Sequence, residues 1–222
     1  DKMTKLTVEN WLSDTNNKES FQKVESLFES VRIKRNSQEP SKLLQNLKSL
    51  DSIQIQDMEG QNQTFQEMLT STHTDAFLVL KDGEILFEEY FNGMKSDSFH
   101  LMNSITKSFV GMLVGVLADK GILDITEKVT KYIPELSEGS FSDTTIQSAL
   151  DMSSAVKFKE DYDDPLCDFW RESAVVGWRP DLVDGNSPSS LLDFALSLQD
   201  KEQEEVAGYH YRSVLTNVIG MV

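Results

Sequence analysis

The stretch "NSITKSFVGMLVGVLADKG", residues 103–121, constrains this chain more than any other. Ile105, Phe109, Met112, Leu113, Val116 and Leu117 recur at helical spacing, and Gly121 follows as a C-terminal stop. Ser104, Ser108, Gly111 and Gly115 form a second stripe, small enough to let another backbone or a sheet approach closely. A helix apolar on nearly every side has to be covered by the rest of the molecule. Only its first turn carries reactive groups, Ser104 and Lys107.

Positions three apart share a helix face, so the Lys107 amine can reach the Ser104 hydroxyl. Burial disfavours the charged form of an amine, and a neutral amine beside a hydroxyl is a base beside a nucleophile. The N-terminal end of the helix adds free N–H groups and a positive dipole end, which suit a developing oxyanion. The plainer alternative is that Ser104 caps the helix while Lys107 extends to solvent. Spacing alone does not choose, because Ser20 with Lys23 and Ser154 with Lys157 match the same pattern. Ser20 reads as the cap of a surface helix and Ser154 as part of a polar turn.

Around this helix the pattern is mixed. Phe21, Val24, Leu27, Phe28 and Val31 predict an amphipathic helix over 20–33, followed by a loop through Pro40. "SIQIQ" alternates like a short strand, and "TFQEMLTST" predicts a helix. "AFLVLKDGEILFEEYF" places two β-rich runs around an Asp-Gly turn, which predicts a hairpin over 76–91. Two strands are marginal alone, so the hairpin should belong to a larger sheet. After Ser104 the chain predicts helix upon helix, with Asp143 capping one through "TTIQSALDM", Ser187 and Pro188 opening "SPSSLLDFALSL", and another through "YRSVLTNVIGMV".

Charge narrows the partners. With 21 Lys and Arg against 37 Asp and Glu, the net charge is −16, which repels nucleic acid and anionic lipid surfaces and suits basic, amine-bearing or neutral small molecules. No apolar run approaches the roughly 18 residues of a membrane span. Cys167 is the single cysteine, so no internal disulfide can form; no metal or cofactor is expected. The compartment stays open between the cytoplasm and, after removal of a leader, the periplasm or exterior.

Residues 103–136 resemble the nucleophile region of the class C β-lactamase-like serine hydrolases. The resemblance rests on Ser104-x-x-Lys107, Gly121-x-Leu123-Asp124 and Tyr132-x-Pro134-Glu135. It implies Ser104 as nucleophile and an α+β fold in which an antiparallel sheet is flanked by helices, with a helical subdomain over about 125–210. The family's second motif, Tyr-x-Asn or Tyr-x-Ser/Thr before a helix, corresponds to Tyr211, Arg212 and Ser213, with Tyr209 as competitor; Ser213 stands where the lactamases proper have asparagine. Likeness to amide- and ester-cleaving members extends over "ENWLSD", "FLVLKDGEILFEEYFNGM", "ALDMSS" and "FKEDYDDP", and implies that Tyr162 donates to the nitrogen of an amide substrate. The expected substrates are small esters or amides, aminohexanoate-type oligomers among them, cleaved through an acyl-enzyme.

The family's third motif, a Lys/His-Thr/Ser-Gly strand, does not follow Tyr211. We therefore expect residues 1–222 to be the front portion of one such domain, its C-terminal strands supplied by a further segment or a second chain, and the assembly to allow a homodimer. A non-catalytic receptor or scaffold of the same fold is the competing class. His73, His100 and His210 are the only histidines, and no Gly-x-Ser-x-Gly, His-Glu-x-x-His, P-loop or Gly-x-Gly-x-x-Gly occurs. "KEDYDDP" reads as a solvated acidic loop, since it lacks the glycine and closing glutamate of a calcium loop.

Overall fold

The computed structural model describes residues 5–36, 38–181, 187–202 and 208–222. The chain divides into two compact units, Asp1–Leu101 and Met102–Val222.

The first unit opens on a short helix α1 (Asn17–Ser20) and a 3-10 turn at Val24–Ser26. This corrects the helix predicted over 20–33. The backbone leaves helical geometry at Lys23, with φ −126° and ψ 20°. The aromatic residues gather around Trp11 instead, which lies edge-on to Phe28 at 5.2 Å and tilted to Phe21 at 6.2 Å. An isolated helix of this length is marginal in water, whereas wrapping the rings leaves Trp11 only 1% exposed.

Strands β1 (Leu44–Gln45), β2 (Gln54–Gln56) and β3 (Asn62–Thr64) precede helix α2 (Phe65–Ser71), and β4 (Ala76–Lys81) and β5 (Glu84–Tyr90) form the expected hairpin. Asp82 and Gly83 make its turn with φ of 52° and 80°, the left-handed pair that a tight hairpin requires. β1 adds to β5 in parallel, so the sheet has the order β1-β5-β4, while β2 and β3 pair antiparallel. Thr64 starts α2 with a capping box: its hydroxyl accepts from the Glu67 N–H at 3.2 Å, and the Glu67 carboxylate accepts from the Thr64 N–H at 2.8 Å. Phe65 and Leu69 of α2 then pack on Phe77, Val79 and Phe87 of the hairpin.

The second unit is helical. It holds α3 (Thr106–Asp119), α4 (Ile146–Leu150), α5 (Asp168–Val175), α6 (Leu191–Ser197) and α7 (Ser213–Met221), with isolated β-bridges but no strand among the described residues. Its core gathers Phe141, Ile146, Phe158 and Phe194 with Val214, Leu215 and Val218 of α7. The chain has the α+β fold, a small sheet with helix α2 packed on it followed by a helical region.

Two predicted caps move. Thr145, not Asp143, caps α4 by accepting from the Ser148 N–H at 3.0 Å, and Ser190, not Ser187, caps α6 by accepting from the Asp193 N–H at 3.0 Å. A cap must stand directly before the first helical residue, and both predicted residues lie too far upstream. Asp143 instead sits between the Lys128 and Lys201 ammonium groups at 2.8 and 2.7 Å. Their hydrogen bonds hold its carboxyl down at about 2.

α3 ends at Gly121 as predicted. With φ 66° at the glycine, the Gly121 N–H bonds the Ala118 carbonyl at 2.9 Å and the Ile122 N–H bonds that of Leu117 at 3.0 Å, a Schellman stop. The all-round burial expected for α3 is not found. Val114 is 6% exposed, but Phe109, Met112 and Leu113 are 53%, 66% and 64% exposed. Burial reaches only the side that meets α7 and its neighbours.

Candidate active site

Ser104 stands in a 3-10 turn, Asn103–Ile105, that leads directly into α3. Asn103, just before it, takes φ 46°, a left-handed position that asparagine tolerates better than most residues. The Ser104 hydroxyl caps neither the turn nor α3. It accepts a hydrogen bond from the Lys107 Nζ at 3.1 Å. The two competing Ser-x-x-Lys pairs are committed elsewhere. Ser20 donates to the Trp11 carbonyl at 2.7 Å while Lys23 pairs with Glu19, and Ser154 shares a 2.6 Å bond with Thr144 while Lys157 pairs with Asp200 at 3.4 Å.

Lys107 also lies over the Tyr211 ring, its Nζ 5.1 Å from the centroid. Of the two tyrosines proposed for the second motif, Tyr209 is 74% exposed, whereas Tyr211 is half-buried against the core of the second unit. Arg212 anchors the approach to α7. Almost fully buried, it pairs with Glu202 and donates to the His210 carbonyl at 3.0 Å. The His210 ring is 3.4 Å from Glu202, and His100 is held by Asp75 at 2.9 Å and by the Leu101 carbonyl at 2.8 Å.

Tyr162 belongs to the loop before α5. Its ring meets Phe169 edge-on at 5.1 Å, and the Trp170 indole donates to its carbonyl at 3.2 Å. Its hydroxyl donates to Glu160 Oε1 at 2.8 Å. The ring is exposed, but the titrating hydroxyl is not in open water: partial desolvation and the bond to Glu160 push the phenol up to about 12. Tyr211 acts on this phenol through space, so the two tyrosines share one neighbourhood.

Three further polar residues gather here that the sequence reading did not single out. Glu160 also accepts from the hydroxyl and backbone N–H of Ser213, both at 2.9 Å. Glu172, on α5 and only 4% exposed, accepts from the Asn217 side-chain amide of α7 at 2.8 Å. Burial raises its carboxyl to about 7; the Asn217 bond and the Lys107 charge pull it down, and Glu160 and Asp168 push it further up. The available signal was a charged residue in phase with Phe169 on the inner side of α5, matched by an amide inside an apolar α7. Unpaired, either would be costly to bury.

A family model described as Beta-lactamase matches residues 62–213, from β3 to the first residue of α7. The chain belongs to the Beta-lactamase family. The matched span of this family domain contains Ser104, Lys107, Tyr162 and Tyr211. A curated relative, the 6-aminohexanoate-dimer hydrolase of Paenarthrobacter ureafaciens, is 29% identical over 218 residues, which are 97% of this chain and 52% of the relative. A solved structure, a putative 6-aminohexanoate-dimer hydrolase from Bacillus anthracis, superposes with a TM-score of 0.83 at 24% identity, covering 96% of this chain and 55% of the other. It establishes the Beta-lactamase-type α+β fold. The chain spans about half the length of these two Beta-lactamase-family hydrolases.

Proposed function

We propose that this chain carries the acylating machinery of a serine hydrolase acting on esters or amides of small carboxyl derivatives, linear aminohexanoate amides among them. The observation that carries this reading is the 3.1 Å bond from Lys107 Nζ to Ser104 Oγ at the mouth of α3, beside Tyr211. Ser104 Oγ attacks the carbonyl carbon, and its proton passes to the Lys107–Tyr211 pair. The Ser104 backbone N–H supplies one donor to the developing oxyanion. The leaving group departs with a proton, which Tyr162 supplies when that group is an amine and regains from the Lys107–Tyr211 pair. Water then cleaves the acyl-serine and restores the hydroxyl.

A fluorophosphonate probe on the intact protein, with peptide mapping, tests the nucleophile. Labelling at Ser104 that disappears in Ser104→Ala is expected, with the variant still folded, since Ser104 caps no helix. Absence of labelling favours a non-catalytic receptor or scaffold of the same fold. Lys107→Met, similar in length but not basic, should slow acylation by about 10²- to 10⁴-fold. A panel of chromogenic esters, nitrocefin and a linear aminohexanoate dimer assigns the substrate.

The same reading includes a cover for α3. Its exposed Phe109, Met112 and Leu113 form a contiguous apolar face, and polypeptide corresponding to the half of the relatives that this chain does not span is the proposed occupant. Mass measurement of the active protein under native and denaturing conditions tests this. An active monomer of 25.2 kDa with no other polypeptide overturns it.

A further inference from the structure

Glu160 binds two elements at once. Its Oε1 accepts from the Tyr162 hydroxyl at 2.8 Å and the Ser213 hydroxyl at 2.9 Å, and its Oε2 accepts from the Ser213 backbone N–H at 2.9 Å. These bonds join the loop that carries Tyr162 to the first residue of α7, two positions beyond Tyr211. A glutamine cannot reproduce the arrangement, because it offers one acceptor oxygen and would turn an NH2 toward a hydroxyl or N–H that itself donates here.

We propose that Glu160 is a positioning residue that stations the Tyr162 hydroxyl against the start of α7 and thereby sets amide turnover relative to ester turnover. The inference rests on Tyr162 acting as donor to an amide leaving group. The argument is one of orientation. The Tyr162 ring is 61% exposed, and a ring so placed keeps its hydroxyl in one direction only through specific partners. Phe169 fixes the ring at 5.1 Å, and Trp170 fixes its backbone through the 3.2 Å bond. The hydroxyl itself is hydrogen-bonded to Glu160. When a substrate amide arrives, the hydroxyl exchanges this carboxylate for the leaving nitrogen, starting from a preset position. An activated ester leaves without needing that proton, so it does not register the loss.

The test is Glu160→Gln in the whole protein, with folding checked by circular dichroism. Tyrosine labelled at Cζ is titrated by NMR, and Tyr162→Phe identifies the resonance; Tyr211 and Cys167 are the other titrating groups acting on this phenol. The Tyr162 phenol should titrate at lower pH in the variant. The kcat for the amide should fall by on the order of 10- to 100-fold while the activated ester changes little. In a Tyr162→Phe background the same substitution should cost amides nothing more. An unchanged phenol titration, or an amide loss of equal size in both backgrounds, overturns the proposal. If Tyr162→Phe alone lowers amide and ester turnover equally, the donor reading fails by itself, and the titration still judges the contact to Glu160. Should Glu160→Gln fail to fold, Glu160→Asp replaces it, since the shorter carboxylate keeps the charge but draws back from the Tyr162 hydroxyl. An amide-selective loss that vanishes in the Tyr162→Phe background supports the proposal, and undiminished amide turnover overturns it.

Discussion

Tyr211 and Tyr162 carry the same hydroxyl but meet different neighbours, and their removal should differ in kind. Tyr211 lies under the Lys107 amine, so Tyr211→Phe should damage ester and amide turnover alike. Tyr162 is turned to Glu160 in its loop, so Tyr162→Phe should lower amide turnover and leave activated esters nearly unchanged. Steady-state kinetics on one ester and one amide checks both; equal losses for Tyr162→Phe count against the division. Glu172 makes a separate prediction. Its folded pKa of about 7 stands above the ordinary 4.5, so its contribution to stability is complete below about 4.5 and is lost as pH rises through 7. Glu172→Gln keeps the acceptor for Asn217 and removes the charge. It should be more stable than wild type at pH 8, by on the order of 3 kcal/mol, and similar at pH 4. Urea unfolding at both pH values checks this, and parallel changes would count against it. At this scale the proximity of Ser104 and Lys107 was legible from their spacing at a helix start, and that of Tyr211 from the family resemblance. Glu160 and Glu172 were not, because Ser213 and Asn217 lie far off in the chain and a carboxylate in sequence looks solvated until its acceptors are filled.

Helix α2 starts on a full capping box, and Thr64→Ala should show its worth. Losing one side of the capping box should cost about 1 kcal/mol, read as a lower denaturation midpoint with an unchanged slope. No measurable change would mean that Phe65 and Leu69 hold α2 without help from the cap. Local chemistry made two features readable in advance: the Asp82–Gly83 turn fixes its hairpin, and Gly121 closes α3. The segment 20–33 was unreadable for a physical reason. Its apolar residues keep helical spacing, but Phe21 and Phe28 serve Trp11, a tertiary partner that periodicity does not contain. The caps of α4 and α6 were displaced because each has several hydroxyls and carboxylates upstream, and only the one adjoining the first turn can act.

At the scale of the molecule, the sheet and the helical region were legible as an α+β pattern, whereas the mismatch between α3 and its surroundings was not. An apolar pattern announces that a helix wants cover, but not whether these residues provide it. That exposed face coexists with a net charge of −16. In colloidal terms, the 222 residues alone are a strongly repelling particle with an adhesive stripe on α3. At about 10 mM salt the repulsion reaches some 30 Å and holds copies apart, but at about 150 mM it is confined to roughly 8 Å and contact becomes possible. Light scattering of the chain by itself should therefore pass from net repulsion to net attraction as salt is added. Leu113→Glu, which puts a charge on the stripe, should keep the protein repulsive throughout; attraction undiminished in that variant would place the adhesive surface elsewhere. The helix that presents the serine would then also set the ionic strength at which the protein can be handled.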